Sequence, residues 1–295
     1  MEKNDNLDNW IKCWKESAPN TQAPPDESRM AEMWNKRSDT FGRDRKGGRM
    51  HKRTENIFAL LKNAGFNPEG AKVLDIGCGP GTLAIPLAKA GAEVTAIDIA
   101  SGMLDRLRKT AEEENLAIDA RELSWWTADI DELGFRKQFD LVLASMTPSI
   151  NGVESFERMM ACSKDLCYYS NFVQRGRNPA HEEIRRLLEK NETKDGEARS
   201  DRPPRPHGPG NGLFFPFMYL YFSGYCPEVK IVNSEHMVEK GPEDAAERTI
   251  EMMSRDKTPD EETVEIIRNY YKNASENGTY RPGSSTYTGM MVWKI

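Results

Sequence analysis

The sequence lacks long apolar runs. No stretch of the 295 residues approaches the roughly 18 consecutive apolar residues that a membrane span requires. The N-terminal segment MEKNDNLDNW also has no apolar core of signal-peptide length. These absences predict a cytoplasmic protein that has no membrane partner.

Cysteine and histidine are scarce. The chain has 5 cysteines, an odd number without a CxxC pair, and 4 histidines. Neither residue type forms a cluster at the spacing of a metal site. We therefore expect free thiols in a reducing compartment and no bound metal.

An excess of positive charge is also absent. Lysine and arginine total 41 against 47 aspartates and glutamates, which gives a net charge of −6. Proteins that bind nucleic acids usually carry a basic excess or a basic face. The basic run between Lys36 and Arg53 is typical of a solvated surface, so we expect no nucleic-acid partner.

What the chain does contain is a regular alternation of strand and helix patterns after residue 54. Short apolar runs that alternate with amphipathic helices indicate a parallel sheet covered on both faces. Two C-terminal runs would add two strands, the last one antiparallel. The prediction is an α/β fold with a doubly wound, seven-stranded, mostly parallel sheet. The predicted strands are KVLDIG (72–77), EVTAID (93–98), SWWTAD (124–129), FDLVLAS (139–145), DLCYYSNFV (165–173), 228–240 and 285–295.

The regions around this alternation differ from it. Residues 1–53 are polar and helical in pieces, and they predict an N-terminal helical lid on a domain that covers 54–295. Residues 174–225 predict an inserted flap, which contains a charged helix, the Pro/Gly-rich stretch RPPRPHGPGNG and an aromatic helix. A capping box from Thr258 to Glu261 predicts the start of another helix.

The most informative motif is VLDIGCGPGT, residues 73–82. A buried strand leads into a turn with glycines at 77, 79 and 81, where the backbone can take unusual φ values and let a ligand approach. The motif is neither a P-loop, which needs GxxxxGK[ST], nor the GxGxxG of a dinucleotide site. Asp75 beside the turn is a poor neighbour for a pyrophosphate but a good one for an ammonium or sulfonium.

Two further carboxylates follow predicted strands. Asp98 lies 17 residues after Gly81, near the roughly 20 expected for a residue that accepts ribose hydroxyls. Asp129 ends the third predicted strand and can accept from an adenine amino group, and Met103 can pack on the adenine face. In the alternative interpretation, the carboxylates are turn caps or ordinary strand-end residues, and Met103 belongs to the core.

The segments VLDIGCGPG, AIDIASGML, TADI and FDLVLAS resemble, in order and spacing, the signature segments of class I S-adenosylmethionine-dependent methyltransferases of the small-molecule type. The resemblance covers residues 54–173. It implies a Rossmann-like methyltransferase fold, S-adenosylmethionine as the cofactor and methyl transfer as the reaction. The segment MWNKRSDTF also resembles the lid helix of small-molecule members.

The resemblance also implies a set of site residues. The glycine turn would line the methionine part of the cofactor, and Asp98 would bind the ribose. The residues near 99, 103 and 129 would contact the adenine, and the end of the fourth strand would lie beside the reactive methyl group. The implied cofactor-binding residues are Asp75, Gly77, Cys78, Gly79, Gly81, Asp98, Ile99, Met103, Ala128, Asp129, Ile130, Ala144 and Ser145, with Trp34 and Arg37 from the lid. The 174–225 flap would lie near the acceptor pocket.

The acceptor is less defined than the cofactor. After the fourth strand the chain has Ala-Ser-Met-Thr-Pro (144–148) in place of the family's Asn-Pro-Pro-Tyr type of motif. By the resemblance, this favours a small-molecule acceptor. His51, His236 and Tyr219 are weak candidates for a general base, so no catalytic residue is assigned. Two alternatives stay open: transfer of the aminocarboxypropyl group on the same scaffold, and a non-catalytic regulator that binds the cofactor. The sequence leaves the oligomeric state open.

Overall fold

Helices and strands alternate along most of the chain. The computed structural model describes residues 5–17, 26–41, 49–174, 179–192, 212–237, 240–254, 258–281 and 283–295. Its helices are α1 Asp5–Ser17, α2 Glu27–Ser38, α3 Arg49–Asn63, α4 Ala84–Lys89, α5 Ser101–Glu113, α6 Val153–Cys162, α7 Pro179–Glu192, α8 Phe214–Phe222, α9 Pro242–Met253 and α10 Glu261–Asn273. Its strands are β1 Lys72–Ile76, β2 Glu93–Asp98, β3 Ile118–Glu122, β4 Phe139–Ser145, β5 Ser163–Gln174, β6 Glu228–Met237 and β7 Gly283–Lys294.

The strands form one seven-stranded sheet in the order β3-β2-β1-β4-β5-β7-β6. The pairs β1–β2, β1–β4, β2–β3 and β4–β5 are parallel. The predicted seven-stranded, mostly parallel sheet is therefore confirmed. The strand order reverses between β1 and β4, and in such sheets ligands bind outside the carboxyl ends of the strands at this point.

The central strands are buried because helices cover both faces of the sheet. Val73, Leu74 and Ile76 of β1 have no exposed surface, and the same holds for Leu141 and Leu143 of β4. This is why these strands read as continuous apolar runs in the sequence. The strands predicted at 72–77, 93–98, 139–145, 165–173, 228–240 and 285–295 are confirmed within a few residues.

Two predictions about element positions are wrong. The third strand is Ile118–Glu122, whereas the segment 124–129 is a turn and loop that follows it. β3 lies at the edge of the sheet and alternates polar and half-buried residues, so it lacks the apolar run of a central strand. The helix predicted to start with a capping box at Thr258 is capped instead by Asp260, whose Oδ1 accepts from the Thr263 amide at 2.8 Å.

The chain divides into two compact units. Unit 1 comprises residues 1–173, 207–231 and 289–295, and unit 2 comprises residues 174–206 and 232–288. Within unit 2, helices α7, α9 and α10 share a small apolar cluster, in which the hydroxyls of Thr249 and Tyr271 are hydrogen-bonded at 2.7 Å. The predicted boundary between a lid of 1–53 and a domain of 54–295 stays a prediction. The Pro/Gly-rich stretch at 202–212 lies almost entirely outside the described residues.

The first two helices pack on different parts of unit 1. Trp14 of α1 is 2% exposed, and its ring lies 5.9 Å from that of Phe215 in α8 and 5.8 Å from that of Phe156 in α6. Helix α2 packs on the start of α5, where Asn35 Oδ1 accepts from the Gly102 amide at 2.9 Å. The lid-like segment therefore lies next to the helix that follows Asp98.

Candidate active site

The glycine turn joins the end of β1 to α4. Gly77, Gly79 and Gly81 have φ angles of +66°, +56° and +84°, as the motif predicts. A Cβ on Gly77 would lie 2.0 Å from Thr147 Oγ1, whereas a Cβ on Gly79 would meet nothing within 4 Å. Gly77 thus lets the segment after β4 approach the turn, and Gly79 leaves open space for a ligand.

Asp75 is buried directly beneath this turn. Its side chain is 2% exposed, and its Oδ2 has no hydrogen-bond partner in the described part of the chain. Burial, together with the charge of Asp98, raises the pKa of the Asp75 carboxyl to about 8, and the Ala84 amide partly offsets the rise. Asp75 therefore keeps one carboxyl oxygen for a further partner.

Asp98 at the end of β2 is connected to the glycine turn. Its Oδ2 accepts from the Gly79 amide at 2.8 Å, and its Oδ1 accepts from the Ala100 amide at 2.9 Å. Burial raises the pKa of the Asp98 carboxyl, and these amides moderate the rise. A carboxylate has about four lone-pair sites, so Asp98 has capacity for further donors. The structure thus brings Asp75, the glycines and Asp98 together as the sequence predicts.

Cys78 lies between the two carboxylates and is 6% exposed. Burial first, and then Asp75 and Asp98, raise the pKa of its thiol well above the usual value. Thiolate chemistry is therefore disfavoured at this position. Cys78 acts as a small residue that fits the turn.

The residues predicted to contact adenine differ in their exposure. Ile99 is half-buried next to Asp98, whereas Met103 in α5 is 2% exposed and packs into the interior. Ala128 and Ile130 belong to the hydrophobic core, at 7% and 6% exposure.

Asp129 does not lie at the end of a strand, although the sequence predicts that it ends the third strand. It is exposed in the loop after β3, and its Oδ1 accepts from the backbone amides of Asp131 and Glu132 at 2.9 and 3.2 Å. In the structure it acts as a turn cap. That Asp129 accepts a hydrogen bond from the adenine amino group stays a prediction.

Trp34 and Arg37, the residues of the predicted lid, contact each other on α2. The Arg37 guanidinium lies 5.1 Å from the centre of the Trp34 ring. Glu27 at the start of the same helix accepts from the hydroxyls of Ser124 and Thr127, at 2.7 and 3.0 Å. Through these contacts α2 lies along the loop after β3 as well as along α5.

The end of β4 carries the other half of the site. Ala144 has no exposed surface, and Ser145 is half-buried. Arg53 of α3 donates to Ser145 Oγ at 2.7 Å and to Ser170 Oγ of β5 at 3.4 Å. Sequence reasoning missed Arg53 as a site residue, because it lies 92 positions before Ser145 and no local pattern connects them.

The weak candidates for a general base gain no support. Tyr219 is 9% exposed and donates to Glu157 Oε1 at 2.7 Å. Burial and this carboxylate raise the pKa of the Tyr219 hydroxyl, which disfavours proton uptake from an acceptor by its phenolate. The side chains of His51 and His236 lie outside the described part of the structure.

The hydrogen-bond acceptors of this site fit a cationic nucleoside. A buried carboxylate oxygen without a partner suits a positive group, a second carboxylate suits hydroxyl donors, and the open face at Gly79 gives room for both. Such a turn with carboxylates at the switch point of a seven-stranded sheet is the arrangement that the resemblance to class I methyltransferases implies.

Comparison with known proteins agrees with this class. Residues 73–168 match the family model described as a methyltransferase domain. Residues 73–168 therefore form a methyltransferase domain, which agrees with the class I S-adenosylmethionine-dependent family, the fold and the cofactor predicted from the sequence. No helix in the described ranges combines the length and the apolar character needed to cross a membrane.

Several curated relatives match shorter segments. The chain is 57% identical over 53 residues to a ubiquinone biosynthesis O-methyltransferase of Actinobacillus pleuropneumoniae, which covers 18% of this chain and 23% of that protein. It is 47% identical over 77 residues to the enzyme of the same name from Methylocella silvestris, covering 26% and 28%. The chain thus aligns with less than a third of the length of either relative.

A solved structure matches over nearly the whole chain. The magnesium protoporphyrin IX methyltransferase of Synechocystis PCC 6803 with bound S-adenosylhomocysteine superposes with a TM-score of 0.50 at 15% identity. The match covers 91% of this chain and 99% of that one. At this identity the likeness supports the fold alone.

Proposed function

We propose that this protein is an enzyme that transfers a methyl group from S-adenosylmethionine to a small-molecule acceptor. One observation carries the proposal: three glycines with positive φ lie in the chain between the buried carboxyl of Asp75 and the half-buried carboxyl of Asp98, at the switch point of the sheet. This arrangement presents carboxyl oxygens and open backbone to one ligand, and a cationic group bound beside Asp75 would lower its raised pKa and favour the carboxylate.

The residues of the chain would bind and orient the two reactants. Asp98 would accept hydroxyl hydrogens of the ribose, and the buried carboxylate of Asp75 would face the ammonium group. The bound cofactor supplies a methyl group that its sulfonium already activates. The protein therefore contributes mainly alignment and the exclusion of water, and a general base is required only for a protonated acceptor.

The small-molecule acceptor and the cytoplasmic location are parts of this proposal. The acidic net charge and the segment 144–148 support an acceptor that is not a nucleic acid. The relatives named above are O-methyltransferases by name, which supports an oxygen acceptor. Their alignments cover only a minor part of each protein, so they support the cofactor site more strongly than the acceptor.

Calorimetric titration with S-adenosylmethionine and S-adenosylhomocysteine tests the cofactor site. We expect both to bind, and Asp98→Ala to weaken both at least about tenfold, the equivalent of one hydrogen bond to a charged group. Asp105→Ala is the matched control, since Asp105 is an exposed carboxylate on the neighbouring helix α5. Absence of binding of either ligand to the wild-type protein would refute the proposal.

Product analysis separates methyl transfer from the two alternative uses of the cofactor. The protein is incubated with cofactor labelled in the methyl group and with a metabolite extract. Methyl transfer puts the label into a new product and leaves S-adenosylhomocysteine. Transfer of the aminocarboxypropyl group would leave labelled methylthioadenosine, and a regulator would bind the cofactor without consuming it.

A further inference from the structure

The Asp75 carboxyl is buried and incompletely hydrogen-bonded. It is 2% exposed, and its Oδ2 has no partner among the described residues. In the sheet register Asp75 is opposite Ala96 of β2 and Leu143 of β4, so the strands on both sides place apolar residues beside it. Burial of this kind disfavours the charged form of a carboxyl group. With a pKa of about 8, Asp75 carries a proton at neutral pH in the unliganded protein.

The charges around Asp75 also oppose its ionisation. Among the described residues, the charge that acts on its carboxyl is that of Asp98 from β2, and it raises the pKa of Asp75 further. Cys78 of the turn is a buried thiol that stays neutral, and Arg108 of α5 acts on that thiol. Cations on helices α3 and α4 are bonded elsewhere, namely Arg53 to the hydroxyls of Ser145 and Ser170, and Lys89 to Glu114. Two neighbouring carboxyl groups therefore favour retention of a proton by the more deeply buried one.

A bound cofactor would change this balance. Asp75 lies directly beneath the glycine turn, which leaves open space for a ligand at Gly79. In the proposed function the ammonium group of the cofactor faces Asp75, and a positive charge close to a carboxyl group favours its ionised form. This attraction is stronger in surroundings from which water is excluded than in bulk water. The ammonium group and the proton therefore compete for the same carboxyl.

We propose that the ammonium group of the cofactor replaces a proton as the partner of Asp75, so that each binding event releases one proton to the solvent. The carboxyl loses its hydrogen, keeps the electron pair and pairs as a carboxylate with the ammonium group. This inference rests on the proposed function for the identity of the ligand. Asp75 is then the residue by which the site distinguishes an adenosine ligand with an ammonium group from one without it.

Calorimetric titration of the full chain in phosphate and in Tris buffer counts the protons. The two buffers differ in their heat of protonation, so the difference between the binding enthalpies gives the number released. At about pH 6.5, where the α-amino group of the ligand is charged, we expect about one proton with S-adenosylmethionine and with S-adenosylhomocysteine. Methylthioadenosine, which lacks the amino acid part, should release none. Release with S-adenosylmethionine alone would place the sulfonium at Asp75 and overturn the proposal, and so would equal release with all three ligands.

The affinity should depend on pH with a defined sign. Because the unliganded protein must lose a proton on binding, S-adenosylhomocysteine should bind about tenfold more tightly at pH 7 than at pH 6. The rise should end near pH 8, where unliganded Asp75 ionises by itself. The affinity for methylthioadenosine should change less than about twofold over the same range. An equally flat profile for S-adenosylhomocysteine would contradict the exchange.

Asp75→Asn assigns the proton to this residue, since the amide has nearly the shape of the protonated carboxyl and cannot ionise. We expect the variant to bind S-adenosylhomocysteine more weakly than the wild type at pH 7, without proton release and without tightening between pH 6 and pH 7. Asp165→Asn, which changes an exposed carboxyl near the start of β5, is the matched control and should behave like the wild type. Proton release that persists in Asp75→Asn would belong to another group, and the proposal would be wrong.

The outcomes separate this inference from the proposed function. If the wild type binds neither S-adenosylmethionine nor S-adenosylhomocysteine, the proposed function is wrong and this inference falls with it. If it binds both without releasing a proton, the proposed function stands and the proton exchange at Asp75 is wrong. Should Asp75→Asn fail to fold, the comparison of S-adenosylhomocysteine with methylthioadenosine on the wild type still decides.

Discussion

The carboxyl edge of the sheet has two halves with opposite chemistry. Over β1 and β2 it presents backbone amides and the carboxylates of Asp75 and Asp98. Over β4 and β5 it presents the guanidinium of Arg53 and the hydroxyls of Ser145 and Ser170. The acidic half suits a cationic nucleoside, whereas the basic half consists of one guanidinium held by two hydroxyl groups, so the two halves offer different hydrogen-bonding groups.

The largest expected effect comes from adding a side chain at Gly77, in the glycine turn of the acidic half. Gly77→Ala places a methyl group against Thr147 at a φ of +66°, so it adds steric overlap to backbone strain. We expect the free energy of unfolding to fall by about 2–4 kcal/mol, with loss of S-adenosylhomocysteine binding. Urea unfolding and calorimetry measure the two effects.

Gly134→Ala is the matched control for this substitution. Gly134 has a φ of +67° and no atom within 4 Å of the added Cβ, so only strain applies, at about 1–2 kcal/mol. Equal losses of unfolding free energy in the two variants would show that the overlap of the added methyl group with Thr147 has no cost beyond the backbone strain.

The next effect is a pH dependence that should belong to the acidic half. The pKa of Asp75 is about 8 in the folded protein, above the value of 3.8 that is usual for an aspartate. Between these values the folded state holds a proton that the unfolded state has lost, so the stability that this proton confers is present at low pH and is lost as pH rises toward about 8.

Urea unfolding of the unliganded protein measures this loss, with a slope of up to about 1.4 kcal/mol per pH unit from one proton. Asp75→Asn should flatten the dependence. Arg53→Gln should leave it unchanged, because arginine does not titrate in this range. A wild-type profile that matches that of Asp75→Asn would contradict the raised pKa.

The smallest of the three effects concerns the helix that lies against the acidic half. Asn35→Ala removes the acceptor of the Gly102 amide, so α2 should dock less firmly on α5. We expect about 1 kcal/mol less stability and a several-fold faster release of S-adenosylhomocysteine in stopped-flow measurements.

Lys36→Ala serves as its control, because Lys36 forms an exposed ion pair with Glu32 on the same helix. A surface pair of this kind contributes well under about 1 kcal/mol. If both variants release the ligand at the wild-type rate, α2 does not act as a lid.

The acidic half could be predicted from the sequence because local backbone requirements define it. Three glycines in five residues and a carboxylate 17 residues later are a pattern within one β-α-β unit. The basic half depends on Arg53, Ser145 and Ser170, which are far apart in the chain and meet only when α3 packs on the folded sheet. Arginine and serine at those positions carry no local signal.

The errors in the prediction have physical reasons of the same kind. β3 is an edge strand with one solvated side, so it needs no apolar run, whereas the apolar segment 124–129 has the pattern of a strand although its buried residues reach the core from a loop. The predicted position of Asp129 at a strand end is wrong for the same reason, because Asp129 lies in this loop. At α10 both Thr258 and Asp260 are residue types that can cap a helix, so the sequence pattern does not distinguish them. The backbone geometry shows that Asp260 is the cap.

The position of β7 between β5 and β6 has a consequence for the order in which the molecule forms. β6 precedes β7 in the chain, yet its place in the sheet is next to β7. During synthesis β5 therefore remains an open edge, and β6 remains unpaired in the sheet, until the ribosome has released residues 283–294. A nascent chain halted before that point would expose two unpaired strand edges, and these are the surfaces on which chaperones and aggregation compete.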